Sequence, residues 1–128
     1  MERAVSVLWV DENVEIHQIY ETLLSAIGVE TFAMATCAED AVWLASSRPF
    51  DLVIIDGSLF GDAVLSLARR VKSGGGLSQA ARIAIVGDDE AGHGAVAAGV
   101  IDAVLARPVT ARALRDEVVS AARRPRTA

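Results

Sequence analysis

The sequence predicts an α/β domain in which five parallel strands alternate with helices on both faces of the sheet. Residues 5–10, 52–55 and 83–86 are short, nearly continuous apolar runs, the pattern of strands buried on both sides. The segments between them place apolar residues at three-four spacing, which makes helices with one buried stripe. Alternation of strand and helix within one domain implies right-handed crossovers and a parallel sheet. A chain of 128 residues is long enough for one such core, since a domain of this size hides roughly two-thirds of its unfolded surface.

Val5, Val7, Leu8, Trp9 and Val10 form the first strand. After Asn13, the positions Ile16, Ile19, Tyr20, Leu23, Leu24 and Ile27 keep a helical period, and Gly28 stops it. Residues 29–35 read as the second strand. Residues 38–46 read as the second helix, ended before Pro49. The third strand, 52–55, is rich in β-branched residues, and the third helix, 63–71, aligns Val64, Leu67, Ala68 and Val71. Gly74, Gly75 and Gly76 break the chain within the domain. A fourth strand at 83–86 precedes a weak helix at 90–98, where Gly92 and Gly94 each cost about 1 kcal/mol relative to alanine. Residues 103–105 give a fifth strand, and Thr110 caps a last helix reaching residue 122. The expected domain is 1–122, with a short basic tail at 123–128.

The formal charge of −5 and a pI near 4.9 argue against nucleic acid as a partner. One cysteine, Cys37, excludes an internal disulfide framework and offers no zinc-ligand spacing; it reads as a small apolar residue near a strand end. The N-terminus lacks the apolar core of a signal peptide and no run is long enough to span a membrane, so a cytoplasmic protein without membrane contact is expected.

The chemistry gathers where strands end. The first strand runs into Asp11 and Glu12 and the third into Asp56, and ligands of open α/β sheets bind at the carboxyl ends of strands. Convergent carboxylates suit a hard divalent cation, which would relieve their repulsion. A carboxylate there could also attack phosphorus as a nucleophile. Taken singly, Asp11 and Glu12 could be helix N-terminal acids, and Asp56 before Gly57 a turn signal. Arg107, just after the fifth strand, would put a cation on the same edge, able to pair with Asp56 or with a phosphoryl group.

Over almost its full length the chain resembles a receiver domain of the bacterial response-regulator family. The resemblance rests on Val10-Asp11-Glu12, on the run from Asp51 to Asp56, and on Ala98-Gly99-Val100-Ile101-Asp102 leading to Arg107-Pro108. It implies a flavodoxin-like, doubly wound sheet in the order 2-1-3-4-5. It also implies Asp56 as phosphoacceptor, and Mg2+ held by Asp11, Glu12, Asp56 and the backbone carbonyl of Ser58. The implied donor is a histidine kinase or a histidine phosphotransfer protein. Arg107 stands where the family has lysine. Gly87, with a backbone donor and no hydroxyl, stands where it has threonine or serine, and Val104 occupies the aromatic switch position. Phe60 replaces a usual proline in a loop shortened by one residue, and the stretch from Gly87 to Gly99 is short as well.

The leading expectation is a stand-alone receiver in a two-component phosphorelay, phosphorylated on Asp56 and signalling to a downstream protein through an atypical switch. With no output domain after the last helix, output would come from a partner, a homodimer or onward phosphoryl transfer. Such a protein is no conventional enzyme: it phosphorylates itself and can hydrolyse its own acyl phosphate. The alternatives are a degenerate receiver acting as a phosphorylation-independent interaction module and a small Mg2+-dependent phosphatase, although Ser58 stands where the latter needs a second aspartate. His17 and His93 are expected in ordinary surface or boundary roles, and Trp9 and Trp43 as core or boundary aromatics. Arg112, Arg115, Arg123, Arg124 and Arg126 read as solvated charges.

Overall fold

The computed structural model describes residues 4–56, 63–73, 76–87 and 99–123. Five strands, β1 (Ser6–Val10), β2 (Thr31–Ala35), β3 (Leu52–Asp56), β4 (Arg82–Val86) and β5 (Ala103–Leu105), form one parallel sheet in the order β2-β1-β3-β4-β5. Four helices are described: α1 (Val14–Ala26), α2 (Ala38–Ser47), α3 (Ala63–Ser73) and α4 (Ala111–Ala122). The expected weak helix at 90–98 lies outside the described residues, as do His93, Gly74, Gly75, the 57–62 loop with Ser58, and 124–128.

Successive residues of a strand face opposite sides of its sheet, so each apolar run feeds two cores. Leu8, Val10, Val53, Ile55, Ile83 and Ile85 pack with Ala41, Ala45, Leu67, Ala68 and Val71 of α2 and α3. Val7, Trp9, Leu52, Ile54, Ala84 and Val86 pack with Tyr20, Leu24, Leu114 and Ala121 of α1 and α4. β1 and β3 are buried along their whole length, which is why their sequences do not alternate.

Local chemistry sets the helix ends. The side chain of Asn13 accepts from the Glu15 amide at 3.1 Å and that of Thr110 from the Ala113 amide at 3.1 Å. Gly28 turns the chain at φ 92°, and the Val29 amide donates to the Leu24 carbonyl. Val29 is thereby used in ending the helix, so β2 starts at Thr31 rather than at residue 29. Gly76 is a close-approach glycine, since a Cβ there would lie 2.6 Å from Ser46 Cα.

Three expectations are corrected. Trp43 is 69% exposed on α2, not a core or boundary aromatic. Cys37 is exposed and caps α2, its Sγ accepting from the Asp40 amide at 3.5 Å, so its role is polar rather than apolar packing. His17 is buried, because its ring folds back over the start of α1. No helix among the described residues is long and apolar enough to cross a membrane.

Candidate functional site

Sheet register assembles the site. Val10 pairs with Ile55, Asp56 with Val86, and Val86 with Leu105, so Asp11, Asp56 and the segment leading to Arg107 reach the same carboxyl edge of adjacent strands. Asp11 is 1% exposed and Asp56 6%. The Asp11 amide donates to the Ala35 carbonyl at 2.9 Å, and its Oδ1 accepts from the Asn13 amide at 2.9 Å.

The two carboxylates are close enough to feel one another. Burial pushes the Asp11 carboxyl above its ordinary range; the hydrogen bond from Asn13 opposes that rise, and Asp56 at its side adds to it. Arg107 supplies a counter-charge. Its Nη2 donates to Asp56 Oδ1 at 2.5 Å and lies 3.4 Å from the Val86 carbonyl oxygen. The hydrogen bond to Asp56 raises the guanidinium further above its ordinary value, and burial opposes it. The peptide bond from Arg107 to Pro108 is cis.

Trp9 and Tyr20 lie beneath this edge with their rings stacked, centroids 3.8 Å apart. Burial raises the Tyr20 hydroxyl, and the charges of Arg107, Asp11 and Asp56 all reach it. The buried Trp9 Nε1 has no hydrogen-bond acceptor among the described residues.

Asp11, Asp56 and Arg107 thus stand together, whereas Glu12 is exposed beside them. Among the described residues no group of three His, Cys, Asp or Glu side chains is gathered closely enough to hold a metal. The donor set still suits a hard divalent ion: two nearly buried carboxylates give oxygen ligands and an excess of negative charge, and Mg2+ ordinarily keeps several waters. Gly87 is half-buried with its amide donating to the Leu105 carbonyl at 3.1 Å, so that donor is already used by the sheet. A Cβ at Gly87 would meet nothing within 4 Å among the described residues. Val104, half-buried, packs against the α2 and α3 core.

His17 is the site residue that sequence reasoning missed. Its Nε2 lies 2.6 Å from the Asp11 carbonyl oxygen. The available signal was its place in the first turns of a helix that starts just after Asp11, because helical side chains lean toward the N-terminus.

No protein-family model matches the sequence, and no curated protein matches it. Solved structures do resemble it. A CheY-like response regulator receiver domain from Methylobacillus flagellatus superposes with a TM-score of 0.81 at 20% identity, covering 93% of this chain and 99% of that one. A candidate response regulator from Chloroflexus aurantiacus J-10-fl gives 0.80 at 24% identity, with 95% and 100% covered. A candidate pilus assembly protein (cpaE) from Burkholderia thailandensis E264 gives 0.76 at 20% identity, with 94% and 99% covered. At these identities the likeness is one of fold: the chain has the CheY-like receiver fold.

Proposed function

We propose that this receiver-fold chain is a response regulator of a two-component phosphorelay, accepting a phosphoryl group on Asp56 within a receiver spanning 1–122. The observation that carries the reading is the juxtaposition of Asp56 with Asp11 and Arg107 at the carboxyl edge of β1, β3 and β5, built by strand register from residues far apart in sequence. In this reading a carboxylate oxygen of Asp56 attacks the phosphorus of a phosphohistidine. The bond to the imidazole nitrogen breaks, the leaving imidazole takes a proton, and Asp56 becomes an acyl phosphate. Arg107, now bonded to Asp56, exchanges that contact for the oxygens of the incoming group, which its planar fork suits. A bound Mg2+ would neutralise charge on the phosphoryl oxygens. Asp11, Glu12, Asp56 and the backbone carbonyl of Ser58 would hold it.

The donor would be a histidine kinase or phosphotransfer protein, and output would pass to a protein partner, in a homodimer or a hetero-complex. The reading sets the chain in the cytoplasm. Because Gly87 has no hydroxyl and Val104 no aromatic ring, the signal would not travel by a hydroxyl-aromatic switch.

A second reading is favoured by one observation: Arg107 already closes on Asp56, with a built-in cation where a metal and phosphoryl group would act. The chain would then be a phosphorylation-independent interaction module. Titration with Mg2+ and beryllofluoride, followed by amide NMR, separates the two. Shifts around Asp56 and Asp11 support the regulator; a folded protein with no response supports the module.

A further inference from the structure

The buried imidazole of His17 has no part in phosphoryl transfer as described, yet it holds one of the site's acids. His17 is 8% exposed, and its Nε2 lies 2.6 Å from the Asp11 carbonyl oxygen. A carbonyl oxygen only accepts, so this nitrogen carries the hydrogen. Side chains of a helix lean toward its N-terminus. From the fourth position of α1, the ring of His17 therefore reaches back past the Asn13 cap to Asp11, the residue just after β1.

Asp11 is consequently fixed at three points. Its amide donates to Ala35 at the end of β2, its Oδ1 accepts from the Asn13 amide, and its carbonyl accepts from His17. The first two bonds leave the outgoing peptide plane of Asp11 able to rock. The third holds that plane to α1. Holding is needed here, because Asp11 is buried beside Asp56 and both the loss of water and the neighbouring carboxylate favour turning it out to solvent.

The geometry points to His17 as a positioning residue: through the Asp11 carbonyl it keeps the Asp11 carboxylate facing Asp56, and thereby sets the affinity of this acid pair for a divalent cation. The second half rests on the cation-site reading above; the first half stands on the metal-free protein. Outer-shell partners of metal ligands are commonly worth about 10–100-fold in affinity.

Three variants test it. His17→Leu removes the donor at similar bulk, His17→Asn is polar but too short, and His17→Gln returns an N–H near the position of Nε2. Amide hydrogen exchange in the metal-free protein follows Asp11 and Asn13, whose bonds are the other two anchors. In the leucine and asparagine variants these amides should exchange on the order of tenfold faster, the loss of one hydrogen bond. Leu8 and Val53 in the sheet should keep wild-type protection, and the glutamine variant should restore Asp11 and Asn13. In Mg2+ titrations the leucine and asparagine variants should bind at least about tenfold more weakly, with glutamine recovering most of the loss. Unchanged exchange at Asp11 and Asn13 in a folded leucine or asparagine variant overturns the proposal. Wild-type protein that shows no Mg2+ response overturns the cation site instead, and the exchange data still judge His17.

Discussion

Replacing Arg107 with alanine removes a cation that faces two buried carboxylates. Asp56 is the more enclosed partner, its side chain 9% exposed against 38% for Arg107, and the contact is a hydrogen-bonded one at 2.5 Å. Exposed ion pairs contribute about 0.2–1 kcal/mol, whereas removing one partner of a fully buried pair costs about 3–5 kcal/mol. A pair with one buried and one half-exposed member falls between, at about 2 kcal/mol. The pH dependence has a definite sign. The guanidinium is held above its ordinary value by Asp56, so on its side the stabilisation is complete below that ordinary value and is lost only as pH rises through the folded value, beyond any working range. The accessible side is acidic: as falling pH protonates the carboxylates, wild type loses the charge that Arg107 faces, and the deficit of the variant shrinks. Urea unfolding in EDTA at pH 7 and over a falling pH series measures this directly. Mg2+ at ten times its Kd should stabilise a binding protein by about 1.4 kcal/mol. It should help Arg107→Ala at least as much as wild type, because the ion replaces the lost charge. A variant within about 0.5 kcal/mol of wild type at pH 7, or a deficit that stays unchanged through the whole acid series, would refute the reasoning.

Other outcomes follow from the same geometry. Burial first, and Asp56 beside it, hold the Asp11 carboxyl above its ordinary value of 3.8, and an acid raised in the folded state costs stability above that folded value. Asp11→Asn should therefore melt higher than wild type at pH 7 in EDTA, where each 1 kcal/mol gained is worth about 3–5 °C in a domain of this size. The advantage should fade as pH falls through the raised value and reverse in Mg2+; differential scanning calorimetry checks both. Gly76→Ala drives a Cβ to 2.6 Å from the Ser46 backbone and should cost about 1–3 kcal/mol in denaturant melts, with Mg2+ affinity unchanged. Gly87→Thr meets no described atom within 4 Å and should change stability by no more than about 0.5 kcal/mol. It should not create a conventional switch, because Val104 offers no aromatic partner; beryllofluoride-dependent shifts across β4 and β5 matching those of a hydroxyl-aromatic receiver would contradict that.

Much of the fold was legible because buried parallel strands write themselves as unbroken apolar runs. β1 and β3 were visible for that reason, and their ends at Asp11 and Asp56 came with them. Helix stops were legible where a backbone geometry demands one residue, as at Gly28 with its positive φ. What could not be read depends on tertiary reach. The lean of helical side chains toward the N-terminus permits His17 to reach back onto Asp11, but the same helical period fits a solvent-facing histidine, and sequence does not choose between them. Trp43 looked like a core residue by type, yet the stripe of α2 that meets the sheet is made of Ala41 and Ala45. That Asp11 is buried while its neighbour Glu12 is exposed was not legible either, because the two are adjacent acids at one strand end. The bond of the Gly87 amide to Leu105 was likewise invisible, because it depends on the β4–β5 register.

The central claim is that Asp56 is a phosphoacceptor, and intact-mass measurement after incubation with Mg2+ and a small acyl phosphate tests it most directly. Wild type should gain one phosphoryl group that is labile to base and to hydroxylamine. Asp56→Asn should gain none, and EDTA should suppress the adduct. A folded wild-type protein that gains no phosphoryl group, or an adduct that survives in Asp56→Asn, would contradict the account.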